Sequence, residues 1–317
     1  MKVKGPYPIY KGLSENDWKE KIEKAKALLQ SCRLCPRECE VDRTAGEKGV
    51  CRAGGVARVS SANDHHGEEP PISGSRGSGT IFFTYCNLRC IFCQNYPISH
   101  LGNGEDKSAE ELAQLMMKLQ KRGCHNINFV TPTHMMPFIL EAMPIALRLG
   151  FEIPIVYNCG GYESMEALKL LDGVVDIYLP DMKYDSDAPA EELSSAPDYP
   201  GHNREAIKEM HRQVGDLVVD EDGIALRGLI IRHLVLPEGM AGSKGVLRFI
   251  AEQISPDTHI SLMSQYFPAH RAFENDHVSR GINREEYREA VAALSRYGLE
   301  NGWLQDRWGV AEEEDYY

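Results

Sequence analysis

The chain has 317 residues, 42% hydrophobic and 26% charged, with 35 Lys and Arg against 47 Asp and Glu, a net charge of −12. That length allows two domains or one large α/β barrel with a sizeable core, and the negative excess repels phosphate backbones, which argues against a dedicated DNA or RNA binder. No apolar run approaches the roughly 20 residues that span a bilayer, and the opening MKVKGPYPIYKGLSENDWKE lacks a secretory apolar core, so the sequence reads as cytoplasmic, with no membrane partner.

Residues 14–31 read as a helix, with Ser14 as N-cap and Trp18, Ile22, Ala25, Leu28 and Leu29 at helical spacing. A Cys- and charge-rich loop follows, CRLCPRECEVDRTAGEKGVCRAGG, then a short strand VARVSSA and a turn-rich connection EEPPISGSRGSG. From residue 80 strands alternate with helices. Strands are expected at 80–84, 126–130, 153–158, 175–179, 229–236 and 259–263. A capping box, Ser108 to Glu111, opens a helix with Leu112, Leu115, Met116 and Leu119 on one face. Further helices are expected at 135–149, 163–172, 203–217, 243–254 and 284–299.

Six strand–helix units suit parallel crossovers and are too few for a complete eight-stranded barrel. The expected fold class is α/β: an open, partial (β/α)6 barrel with a small Cys-rich N-terminal metal-binding segment. The expected division is 1–75 for the N-terminal helix and Cys-rich segment, 76–300 for the barrel and 301–317 for a tail. The tail ends in AEEEDYY (311–317), which reads as a frayed, solvated end. In such barrels the chemistry sits at the C-terminal strand ends.

Seven of the nine cysteines fall between Cys32 and Cys93. Cys124 and Cys159 stand apart and read as buried small apolar side chains. After the first barrel strand comes TYCNLRCIFCQN, which spaces Cys86, Cys90 and Cys93 as C-x3-C-x2-C. A [4Fe–4S] cubane normally takes four thiolates. Three on one loop leave an iron open, as a catalytic metal site requires. A closed zinc site with a distant fourth ligand is the bland alternative, disfavoured by the spacing and by the place at a strand end.

The motif, its position and the barrel pattern over about residues 76–300 resemble the radical S-adenosylmethionine (SAM) superfamily. The stretches HHGEEPPISG (65–74), NFVTPTH (128–134), IYLPDMKY (177–184), APDYPG (196–201), IKEMHRQVG (207–215) and IRHLVLP (231–237) look like the PflX-type branch of the pyruvate formate-lyase activating enzyme group. The resemblance implies an oxidoreductase whose cofactors are a [4Fe–4S] cluster and SAM. Reductive cleavage of SAM would give methionine and a 5′-deoxyadenosyl radical that abstracts hydrogen. A reducing partner such as flavodoxin or ferredoxin is implied. The substrate would be a glycyl radical protein in one version and a small molecule or peptide in another. A rival from another class is a non-catalytic electron carrier or scaffold with two closed metal sites.

The same resemblance implies site residues. Phe92, just before the third cysteine, falls near the adenine. Asp181 and Lys183 match an Asp-x-Lys at the fourth strand end, whose Asp helps hold a monovalent cation beside the cofactor. Arg232 matches a fifth-strand Arg near the SAM carboxylate. The activating enzymes hold the amino end with a Gly-Gly-Glu turn after the second strand. Here Thr131, Pro132, Thr133 and His134 stand instead, so Thr131, Thr133 and His134 are expected to supply the acceptors. Asn158 opens Asn158-Cys159-Gly160-Gly161 at the third strand end, where glycines permit close backbone approach to a ligand.

Cys32, Cys35, Cys39 and Cys51 form a second group, C-x2-C-x3-C-x11-C. Four thiolates can close a tetrahedral zinc site or hold an auxiliary [4Fe–4S] cluster, and the Cys35-Pro36 step is similar to ferredoxin-type loops. Spacing does not separate the two, and a structural staple is favoured over a redox role. His65, His66, Glu68 and Glu69 either line the site or shape a turn, Tyr266, Pro268 and His270 follow the sixth strand towards the substrate, and His211 and His259 read as ordinary helix and strand residues.

Overall fold

The computed structural model describes residues 5–305. The N-terminal helix α1 (Glu15–Gln30) starts at a capping box: the Ser14 hydroxyl accepts from the Asp17 amide, and the Asp17 carboxylate accepts from the Ser14 amide. After the Cys-rich loop come β1 (Ala57–His65), a one-turn helix α2 (Pro70–Ser73), β2 (Ser78–Phe83), a second one-turn helix α3 (Tyr96–Ser99) and β3 (Glu105–Lys107). The alternating part continues through α4 (Ala109–Lys121), β4 (Ile127–Val130), α5 (Met136–Arg148), β5 (Ile155–Cys159), α6 (Met165–Leu170) and β6 (Ile177–Pro180). It then runs α7 (Asp187–Ser194), α8 (Tyr199–Val214), β7 (Val218–Val219), β8 (Ala225–Leu234), α9 (Ser243–Gln253), β9 (His259–Met263), α10 (Arg284–Tyr297) and β10 (Gly302–Leu304).

One sheet joins them in the order β10-β9-β8-β6-β5-β4-β2-β1-β3, with β7 paired to β8. The six expected barrel strands are β2, β4, β5, β6, β8 and β9, all parallel. The sheet extends beyond them. β1 lies antiparallel to β2 and β3 antiparallel to β1, while β10 adds a parallel strand beside β9. The AEEEDYY segment lies outside the described residues.

The strand period of two separates two cores. Ile81, Phe83, Ile127, Phe129, Ile155 and Tyr157 face the helices, and the Phe83 and Phe129 rings stack with centroids 5.8 Å apart. Helix α5, apolar on most faces, packs on this side against α1 and α4. On the inward face Val156, Ile177, Leu179, Ala225 and Ile230 form a separate apolar floor, into which α2 inserts Ile72. One further strand step from that floor puts Asn158 above Val156, Asp181 above Leu179 and Arg232 above Ile230. The interior is therefore apolar at the N-terminal strand ends and charged at the C-terminal ends.

Candidate active site

The cysteine loop leaves β2 through Tyr85, whose φ of 66° is left-handed and whose amide donates to the Ile98 carbonyl at 3.0 Å. Two amides in the middle of the loop, Arg89 and Ile91, donate to the carbonyls of Ser194 and Leu193 at the end of α7. That clamp uses orphan carbonyls of a helix C-terminus. Each sulfur has a polar neighbour. The Leu88 amide donates to Cys86 Sγ at 3.3 Å, Ser194 Oγ donates to Cys90 Sγ at 2.9 Å, and Cys93 Sγ lies 3.0 Å from Ser99 Oγ. Tyr184 Oη lies 2.6 Å from Ser194 Oγ and completes a chain to Cys90.

Burial pushes the Cys86 and Cys90 thiols up, the neighbouring cysteines push the same way, and Lys183 pulls both down. Three cysteines on one short loop, each with a polar neighbour at its sulfur, fit a cationic occupant that takes thiolates. Among the described residues no three His, Cys, Asp or Glu side chains converge as ligands of a single ion. A cubane is different, because each thiolate takes its own iron.

Behind the loop lies the charged layer. Arg232 Nε donates to Asp181 Oδ1 at 2.9 Å and Arg232 Nη2 to Asn158 Oδ1 at 2.7 Å, with Nη1 3.8 Å from Glu68 Oε2. Lys183 Nζ donates to Asp181 Oδ2 at 2.7 Å. Burial alone would raise Asp181, but Arg232 and Lys183 outweigh it and hold the carboxyl below the usual range. Burial raises Glu68 despite Arg232. Two residues have unmet hydrogen-bonding capacity: Glu69 Oε2, and both amide atoms of fully buried Asn128, which pairs with Val156 at the level of the floor, one strand step below Asn158. Unmet polar atoms on the inward side fit a polar ligand.

The loop after β9 covers the cysteine loop. Tyr266 meets Phe92 edge-on with ring centroids 5.7 Å apart, and the Arg271 amide donates to the Ile91 carbonyl at 2.8 Å. His270 stacks on Tyr96 with centroids 4.9 Å apart.

The structure therefore brings together Cys86, Cys90, Cys93, Asn158, Asp181, Lys183 and Arg232, with Phe92 on the β9 side of the loop. Thr131 sits at the mouth with φ 57°, its amide donating to the Asn158 carbonyl at 2.8 Å. Thr133 and His134 do not join this group. The Thr133 hydroxyl donates to buried Glu163 Oε1 at 2.7 Å, and Glu163 also accepts from Tyr157 on the helix-facing side of β5. His134 Nε2 donates to the Thr84 carbonyl at 2.8 Å, and its own carbonyl accepts from Arg43. The short helical turn over Thr133–Met135 rotates both side chains away from the interior.

His134 has a structural consequence. Burial, then Arg43, pushes its pKa from 6.5 down to about 3. The unfolded chain takes up this proton first as pH falls, so stability is present above pH 6.5 and is lost progressively towards pH 3. His134→Ala is expected to cost about 1–3 kcal/mol at neutral pH, from the Thr84 carbonyl left unpaired. It should also flatten the acid limb and leave SAM affinity unchanged. Denaturant unfolding at several pH values, with equilibrium binding of SAM, checks all three.

The Radical SAM superfamily pattern matches residues 80–238, half of the chain, from β2 to just past β8. The chain belongs to the radical SAM superfamily. It is 31% identical over 290 residues to the uncharacterized protein MJ0674 of Methanocaldococcus jannaschii, covering 88% of this chain and 79% of that one. A second uncharacterized protein of that organism, MJ0808, is 27% identical over 173 residues, covering 49% of this chain and 50% of the other. The fold is similar to the FeFe-hydrogenase maturase HydG of Carboxydothermus hydrogenoformans, with a TM-score of 0.50 and 14% identity. That match covers 71% of this chain and 52% of HydG, so this radical SAM chain spans about half of the maturase's length.

Radical SAM enzymes use a [4Fe–4S] cluster and SAM, and the cluster, once reduced by a partner such as flavodoxin or ferredoxin, supplies the electron that cleaves SAM. The Cys86, Cys90 and Cys93 donor set fits that group. Among the described residues no helix is long and apolar enough to cross a membrane. Sequence reasoning did not single out Asn128, Ser194 or Tyr184. Asn128 left a signal as a polar residue inside the apolar run NINFV, whereas Ser194 ends a helix with no apolar periodicity.

Proposed function

We propose that this radical SAM enzyme abstracts hydrogen from a polypeptide, in the manner of a glycyl radical activating enzyme. The observation that carries the reading is the open sheet: β3 and β10 are its two ends and do not pair with each other. An open barrel leaves a side through which a protein loop can reach the cysteine loop. The rim supports the same reading, with Phe267 and Phe273 exposed on the loop after β9 and Leu101 exposed just past α3.

Within this reading Cys86, Cys90 and Cys93 hold the cluster. Lys183, whose charge lowers the Cys86 and Cys90 thiols, stands with Arg232 as a cation for the SAM carboxylate. Arg232 fixes Asp181 and Asn158 beside it, and Asp181 is the acceptor for a monovalent cation or the SAM ammonium. Phe92, braced by Tyr266, takes the adenine. Asn128 and Glu69 offer unmet polar atoms to cofactor or substrate.

The test is an anaerobic incubation of the reconstituted enzyme, a reductant and SAM with a panel of peptides deuterated at the glycine α-carbon. Deuterium should appear in 5′-deoxyadenosine, with a doublet or singlet organic radical in the electron paramagnetic resonance spectrum. Deuterium transfer from small molecules and from no peptide would overturn the polypeptide reading and leave SAM cleavage standing.

A further inference from the structure

The N-terminal cysteine group is packed directly on the catalytic loop. Arg37 lies two residues beyond Cys35, and its Nε donates at 2.5 Å to the carbonyl of Asn87, the residue after Cys86. Its Nη2 lies 3.4 Å from the Ser194 carbonyl, in the residue whose hydroxyl bonds Cys90. One side chain thus links a turn holding Cys35 to a turn holding Cys86.

The N-terminal group has the features of a built site. Cys32, Cys35 and Cys51 are buried, Cys39 is half-buried, and none forms a disulfide. Glu38, Glu40 and Arg52, each next to one of these cysteines, have left-handed backbones with φ of 39°, 55° and 64°. Such strain in non-glycine residues persists where the surroundings demand it. Gly49 is required for a related reason: a Cβ there would lie 2.7 Å from Cys39 Sγ. The Val50 amide, next to Cys51, donates to Cys39 Sγ at 3.4 Å, and the Glu40 amide, next to Cys39, donates to the Cys32 carbonyl at 3.2 Å, so the segment folds these cysteines onto one another.

The thiols nevertheless do not converge on one point as four ligands of a single zinc at about 2.3 Å would. Between the two groups lies positive charge. Arg37 bridges the two turns, and Nη1 of Arg89, the residue before Cys90, is buried without a partner.

We propose that Cys32, Cys35, Cys39 and Cys51 hold a second [4Fe–4S] cluster, and that it exchanges electrons with the barrel cluster across the Arg37–Asn87 contact. A flavodoxin or ferredoxin gives up one electron and is oxidised. The N-terminal site takes it, passing from the 2+ to the 1+ core, and returns to 2+ when the electron moves to the barrel site. No bond forms or breaks in this transfer. The guanidinium groups of Arg37, Arg52 and Arg89 offset the repulsion between two anionic thiolate clusters. The proposal rests on superfamily membership and holds whatever the substrate.

The test uses the full-length chain, reconstituted anaerobically and also as isolated. Metal and sulfide analysis should give about eight irons and eight sulfides per chain, from one cubane on four thiolates and one on three, without stoichiometric zinc. Cys51→Ser should lose half of the iron. The fully reduced wild type should give a broadened, fast-relaxing paramagnetic spectrum from two interacting spins, and Cys51→Ser a single uncoupled signal. Arg37→Met should keep its iron but lose rapid reduction of the barrel cluster by flavodoxin, while slow reduction by dithionite is unchanged. One zinc with four irons per chain overturns the proposal. So does an uncoupled wild-type spectrum, or an Arg37→Met protein reduced by flavodoxin at the wild-type rate. If Cys51→Ser fails to fold, the wild-type metal count and spectrum still decide.

Discussion

Cys90→Ala is expected to abolish 5′-deoxyadenosine formation, down to the level of an enzyme-free control, and Cys86→Ala and Cys93→Ala should do the same. Each removes one of only three thiolates that the barrel loop offers to the cubane. Cys90 is the most deeply set: it is buried and takes a hydrogen bond from Ser194, which is itself bonded to Tyr184. Ser194→Ala is the graded counterpart. It should retain the iron and lower the cluster's reduction potential, because a hydrogen bond to sulfur favours the more negative, reduced state. Iron analysis, voltammetry and chromatographic assay of 5′-deoxyadenosine separate the two effects. An alanine variant at any of the three positions that cleaves SAM at the wild-type rate would remove the basis for the site.

The second large effect concerns the charged layer. Arg232→Leu should destabilise the protein by about 3–5 kcal/mol, the usual cost of removing one partner from a buried charge pair. The arginine satisfies Asp181 and Asn158 at once and faces Glu68. Its loss leaves Asp181 with Lys183 alone. Asp181 is held below the ordinary carboxylate range in the wild type, so its contribution is present at neutral pH and disappears as pH falls through that lowered value. The variant should lack this acid-sensitive component and bind SAM weakly. Arg232→Lys should be intermediate, since a single ammonium cannot reproduce the fork that bridges two acceptors. Denaturant unfolding of the three proteins at pH 7 measures this, and a loss below about 1 kcal/mol in Arg232→Leu would place the pair among weakly contributing ion pairs.

The architecture was readable because its signals are local. Apolar runs of four to six residues mark β2, β4, β5 and β9, and the N-cap Ser14 and the capping box at Ser108 open α1 and α4 where the side-chain oxygens direct. Six elements were not readable, namely α2, α3, α7, β3, β7 and β10, and two of them show why. Helix α7, with the sequence DAPAEELS, buries only Ala190, Leu193 and Ser194 and has no amphipathic stripe long enough to stand out. Yet it supplies the carbonyls and the hydroxyl that hold the cysteine loop. β10 is three residues long and exists through its pairing with β9.

The site divides in the same way. Asn158, Asp181 and Arg232 lie on or just past strands, where the period of two fixes the direction of the side chain once the floor residues are known. Thr133 and His134 lie in a turn, and position at a strand end does not set direction there. The turn aims Thr133 at Glu163 and His134 at Thr84, two partners distant in sequence. The contact between Arg37 and Asn87 spans 50 residues and has no sequence signature.

The central claim is that Cys86, Cys90 and Cys93 carry a cluster that reductively cleaves SAM. Its most direct test is anaerobic incubation of the reconstituted chain with SAM and dithionite, followed by quantification of 5′-deoxyadenosine and methionine. The account predicts both products in equal amounts, dependent on reductant and absent from the Cys90→Ala protein. A chain that retains its full iron, shows a reducible cluster and yields neither product would contradict it.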